Sequence, residues 1–172
     1  IGNLLVSAWE QLTDSLAELE EDAVVLDGPF MTNNIVRMLS VNHTVTEILE
    51  YAEQTRRLLR PFQTTTIYLT SDIGQTLPQT CDRRGAAWTD FIVSETEQYA
   101  YQKTRSRIGF DGMSQFFIDA QQVFEQVANR LEFRMITVDT TAREWSESQQ
   151  IVLDYLGASA VALENLDVGA EL

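Results

Sequence analysis

Three short apolar runs in this chain stop abruptly on acids and hydroxyls. Residues 23–26, Ala-Val-Val-Leu, end in Asp27 and Gly28; "TTTIYLTSD" ends in Ser71 and Asp72; "EFRMITVDTT" ends in Asp139, Thr140 and Thr141. A run with no polar face reads as a strand buried on both sides, the way strands of a parallel sheet are buried. Parallel strands need crossover connections, and the segments between these runs have helical spacing. The sequence therefore predicts an α/β chain whose strand carboxyl ends gather acids at one edge of the sheet, where open sheets bind ligands.

The helical segments carry their own signals. Residues 4–20 place Leu5, Ala8, Trp9, Leu12, Leu16 and Leu19 at helical spacing, with acids mostly opposite. A capping box, Thr44 to Glu47, opens a helix that stops at Pro61 and buries Val45, Ile48, Leu49, Ala52 and Leu59. The stretch between, with Asn33, Asn34 and Arg37, reads as a loop. Residues 73–98 read as a helix interrupted near Pro78 and Gly85. "YAYQKTRSRIGFDG", residues 99–112, reads as an exposed mobile loop. Met113, Phe116, Phe117, Ala120, Phe124, Val127 and Leu131 mark the most regular helix, a core stripe. Thr141 to Glu144 reads as a second capping box, with Trp145, Val152, Tyr155 and Leu156 turned inward and Gly157 as the stop. Residues 1–156 are then one domain, and 157–172 a loosely attached tail.

Composition narrows the partners. A net charge of −14 argues against nucleic acid, whose phosphates require a basic surface. No run approaches the roughly 20 apolar residues that cross a bilayer, and no leader pattern is present, so a soluble cytoplasmic protein is expected. The single cysteine, Cys81, is expected to pack rather than to bond or bind metal. His43, the only histidine, reads as a neighbour of the helix cap. Lys103 is the only lysine, and an acidic, lysine-poor surface suits high salt, although an ordinary acidic protein reads the same way.

Chemistry is expected at the strand ends. Asp27 has the placement of a hard carboxylate that holds magnesium near phosphates or takes a proton from an acceptor hydroxyl; an N-cap for the following segment is the competing role. Arg83 and Arg84, adjacent in "CDRRGAAW", could close on transferring phosphates, or serve as a solvated helix face. Arg56, Arg57 and Arg60 read mostly as solvated face.

Taken together, "VVLDG", "IYLTSDIGQTL" with "CDRRGAAW", "GFDGMSQFF", and "MITVDTTAREW" with "IVLDYL" resemble the P-loop nucleoside and nucleotide kinases, the group that includes thymidylate kinase, across residues 5–156. The resemblance implies a three-layer α/β/α parallel sheet and ATP-dependent phosphoryl transfer to a nucleoside or nucleotide. Asp27 would act as Mg2+ ligand or catalytic base, and Arg83 and Arg84 as lid arginines. Thr140 and Thr141 would lie near the nucleotide base, and the loop at 99–110 would help cover the site. It also leaves room for a homodimer. The chain departs from the family in having no G-x-x-x-x-G-K-[ST] loop. The expectation is that the first strand and phosphate loop precede Ile1; a relative that has lost ATP binding is the alternative. A non-catalytic nucleotide-sensing or protein-interaction module is the second functional reading. A metal-dependent phosphohydrolase using Asp27, Asp72 and Asp139 is the third.

The charge pattern makes one prediction independent of fold. The thermal midpoint should rise by about 5 °C or more between about 0.1 and 2 M KCl as screening relieves self-repulsion. A flat or falling profile would contradict the high-salt reading.

Overall fold

The computed structural model describes residues 2–20, 24–28, 32–62, 64–131, 134–141 and 144–157. Ten elements run along them: α1 (Gly2–Ala17), α2 (Thr32–Ser40), α3 (Val45–Leu58), β1 (Thr66–Thr70), α4 (Ile73–Arg84), α5 (Ala86–Gln98), α6 (Ala100–Lys103), α7 (Gly109–Leu131), β2 (Met135–Asp139) and α8 (Trp145–Leu156).

The described residues do not form the expected three-layer sheet. β1 and β2 pair in parallel, Thr66 opposite Met135 through Thr70 opposite Asp139, and the sheet ends there. The run that should have supplied another strand is irregular at residues 24–27 and exposed, Val25 at 92 %. Ala23 lies outside the described residues. Three apolar residues followed by a bend are too few to hold a ladder: Gly28 takes a positive φ of 69°, and its carbonyl accepts from the Asn33 N–H inside α2. The "loop" around Asn33 and Arg37 is thus helical, its apolar side set by Ile35, Met38 and Leu39.

The core is helical, and α7 is its axis. Phe116, fully buried, meets the rings of Tyr99, Tyr101 and Phe117 at centroid distances of 5.1, 5.7 and 5.6 Å. Helices α2, α3, α4 and α5 all pack against α7. α1 lies on α3, where Trp9 Nε1 donates to Tyr51 Oη at 2.9 Å and Asn34 Nδ2 donates to the same oxygen at 2.7 Å. Burial pushes the Tyr51 phenol pKa up, against the pull of the bonds from Asn34, Thr55 and Trp9.

Side chains alternate across the two strands. Thr66, Tyr68 and Thr70 face α7, with the Tyr68 ring 3.9 Å from that of Phe124. The other face holds Ile67, Leu69, Ile136 and Val138. α8 packs on β2 and buries Val138, but leaves Ile67 and Leu69 39 % and 45 % exposed.

Local signals fare unevenly. The Thr44–Glu47 capping box is complete, and His43 Nδ1 stands 3.4 Å from Glu47. Cys81 is buried, and Gly157 closes α8 in the left-handed conformation. The second capping box does not form: Glu144 is the N-cap of α8, without a side-chain bond, and Trp145 is exposed. Arg56 and Arg57 both pair with Glu53.

The expected mobile loop is folded. α6 and the start of α7 occupy it, with Tyr101 and Gln102 buried. Arg105 stacks 3.5 Å from the Tyr101 ring centre and donates to Asn42 Oδ1. Asp119 accepts from Tyr101 Oη, Arg107 and Gln115. Burial alone would raise the Asp119 pKa, but these hydrogen bonds outweigh it and hold the carboxyl below its ordinary value.

Two outcomes follow for stability. Phe116→Ala should cost about 3–5 kcal/mol in urea unfolding, the usual range for truncating a buried ring. Because the folded Asp119 pKa is depressed, its contribution is present above the unfolded value of about 3.9 and is lost as pH falls through the folded value. Asp119→Asn should therefore flatten that acid limb. An unchanged limb would show that the network is not coupled to folding.

Candidate functional site

The two strand carboxyl ends are tied into one structure. The Thr70 carbonyl accepts from Thr140 N–H at 2.8 Å and from Thr140 Oγ1 at 3.0 Å. Asp72 N–H donates to Thr141 Oγ1 at 2.7 Å, and Thr141 N–H donates to Asp139 Oδ1 at 2.9 Å. Asp72 caps α4 by accepting from Gln75 N–H, so the positive end of that helix is already matched by a carboxylate. The gathering of acids and hydroxyls expected at the strand ends is present for Asp72, Asp139, Thr140 and Thr141.

Beside this junction, along the edge of β1 that no strand among the described residues pairs, lies a cleft of about 170 Å³. Phe117, Ala120 and Phe124 of α7 form one side, and Ile35 and Val36 of α2 another, with Tyr68 and Leu69 of β1 between. Thr32, Thr70, Ser71 and Gln121 supply its polar groups. Gln121 Nε2 donates to Thr70 Oγ1 at 2.9 Å, which ties α7 to the end of β1. The Tyr68 phenol is raised by burial and by the nearby Glu125 charge, against its bond with Thr70, and it stays protonated at neutral pH. Apolar walls with a few fixed polar atoms are the usual make-up of a small-molecule site.

The expected catalytic residues are not gathered here. Ile73 lines the cleft at the start of α4, whereas Arg83 and Arg84 close the same helix, about 15 Å along its axis. Both are exposed, and the Arg84 guanidinium lies 5.9 Å from the Trp88 ring. Asp27 is exposed and outside regular structure, next to the Gly28 that meets the first turn of α2. Among the described residues it is connected to the site through that turn, where Thr32 lines the cleft. Thr140 and Thr141 serve as strand-end joints. The 99–110 segment contacts Asn42 beyond the carboxyl end of α2, the opposite end from Thr32, so it does not cover the cleft.

Among the described residues, no three or more His, Cys, Asp or Glu side chains could hold a metal ion together, so Asp27, Asp72 and Asp139 do not form the cluster a phosphohydrolase would need. No helix there is long and apolar enough to cross a membrane.

Gln121, Ile35 and Val36 were not singled out by sequence. A signal existed for Gln121: it lies four residues after Phe117 and three before Phe124, a polar residue inside the apolar stripe of α7. Comparison with protein-family models, with curated proteins and with solved structures finds no match for this chain.

Proposed function

We propose that the chain binds a nucleoside-like small molecule in the cleft at the carboxyl end of β1. The observation that carries this reading is the cleft itself: ring-sized, walled by Phe117, Phe124, Ile35 and Val36, and edged by hydroxyl and amide groups. Its position supports the reading too, because parallel strands present ligands at their carboxyl ends. A nucleoside offers what such a site selects: an apolar ring face with hydrogen-bonding groups around its edge.

Phosphoryl transfer from ATP to that nucleoside is the second reading, favoured by Asp27 standing next to Gly28, whose carbonyl accepts from Asn33, the neighbour of the cleft-lining Thr32. In it Asp27 would take the acceptor proton or hold Mg2+. Arg83 and Arg84 have no part in the version drawn from these residues, since they close the far end of α4.

Calorimetry with adenosine, cytidine, guanosine and thymidine tests the binding claim. At least one should bind with about micromolar to millimolar affinity, and Val36→Trp, which fills the cleft from a half-buried position, should abolish binding while the thermal midpoint moves by only a few degrees. Heat from none of the four would overturn the reading. For the second reading, Asp27→Asn should leave nucleoside affinity unchanged and remove nucleoside-stimulated ATP turnover; turnover that survives the substitution would contradict it.

A further inference from the structure

The direction of each hydrogen bond around β1 narrows the ligand further, on the basis that the cleft is a nucleoside site. Within a strand, the N–H and C=O of one residue point to the same side and alternate from residue to residue. Thr66 N–H donates to the Arg134 carbonyl at 2.9 Å, and the Thr70 carbonyl accepts from Thr140, so these residues face β2. Leu69 therefore turns its N–H and C=O outward, to the unpaired edge, where it lines the cleft. Among the described residues neither group has a hydrogen-bond partner. A backbone donor and acceptor are thus held rigidly side by side.

The side chains add acceptors. Gln121 Nε2 donates to Thr70 Oγ1 and, at 3.3 Å, to Glu125 Oε1. The Glu125 carboxylate fixes the amide orientation, because an amide oxygen in that place would face an anion. Gln121 Oε1 is left to accept. Thr76 Oγ1 spends its one proton on the Asp72 carbonyl at 2.9 Å, so in the 3.1 Å contact between Ser71 Oγ and Thr76 Oγ1 the serine is the donor. Ser71 Oγ is left to accept as well.

Charge points the same way. Among the described residues no lysine or arginine lines the cleft, and Asp72, Glu125 and Asp139 stand next to its lining residues Ser71, Gln121 and Thr70. A phosphate inside would meet acceptors and acids with no cation, leaving a charge without compensation. Beyond the Leu69 N–H, the donors at the lining are uncharged: the Thr32 hydroxyl at the exposed mouth, the Thr70 and Tyr68 hydroxyls, which share one bond between them, and the Ile73 N–H at the start of α4, where the Asp72 carboxylate already matches the helix end.

We propose that the cleft takes an uncharged ring bearing an amino or N–H donor beside a ring acceptor, read by the free backbone edge of Leu69 and by Gln121 Oε1, and that it excludes phosphate. The ligand is then the unphosphorylated nucleoside rather than the nucleotide, and its amino edge is what the site recognises. Adenine and cytosine display that edge.

The test is calorimetry with adenosine, with purine riboside, which is the same ring without the amino group, and with adenosine monophosphate. The wild-type chain is compared with Gln121→Leu and Ser71→Ala, each checked for an unchanged circular dichroism spectrum. Adenosine should bind; purine riboside should bind about tenfold more weakly, and adenosine monophosphate no more tightly than adenosine. Gln121→Leu should lose about the same factor for adenosine and little for purine riboside. Should Gln121→Leu not fold, Ser71→Ala and the wild-type ligand series decide. Equal affinity for adenosine and purine riboside, or a monophosphate that binds tenfold more tightly, would overturn this proposal and leave the nucleoside reading standing. Failure of every ring to bind would overturn both.

Discussion

A two-stranded sheet is at best marginally stable in water, so β1 and β2 exist only as far as something holds their faces. Here that is the contact between Tyr68 and Phe124, reinforced by the Gln121–Thr70 hydrogen bond and by α8 behind β2. All three are side-chain contacts to helices. The sheet is an attachment on a helical core organised by α7, and the cleft is a product of that attachment: it lies where β1 meets α7 and α2, with no further strand beside it among the described residues.

The same residues then act in folding and in the site. Phe124 holds Tyr68 in place and walls the cleft. Gln121 ties β1 to α7, and its second bond, to Glu125, fixes which amide atom is left toward the cleft. Among the described residues, the positive-φ residues other than glycine, Asn42 and Ser106, lie in the turn after α2 and in the segment before α7, away from the cleft. Loosening the core should therefore loosen the site.

How much of this the sequence held depends on whether a feature is local. The Thr44–Glu47 capping box, the stops at Gly85 and Gly157, and the α7 stripe follow from neighbours in the chain and could be read directly. The strands at 66–70 and 135–139, and the meeting of their polar ends, also follow from apolar runs closed by Asp72 and Asp139. Residues 24–26 carry the same apolar signal, yet strand formation needs a partner edge, and nothing in a three-residue run records whether one is present. Trp145 misled for a related reason, since helical periodicity states which residues share a face but not whether another element covers it. For the site, Asp27, Arg83 and Arg84 were legible as chemistry and not as geometry. Gln121 matters through its bonds to Thr70, 51 positions earlier, and to Glu125, and no local pattern states that combination.

The central claim is that a ring enters between β1 and α7 at the free edge of Leu69. Its most direct measurement is a nuclear magnetic resonance titration with adenosine, following backbone amides and the Gln121 side-chain amide. The account predicts shifts concentrated at Leu69, Ser71, Ile35 and the Gln121 amide, with Arg83 and Arg84 unmoved. Shifts centred on Arg83 and Arg84, or none along the edge of β1, would contradict it.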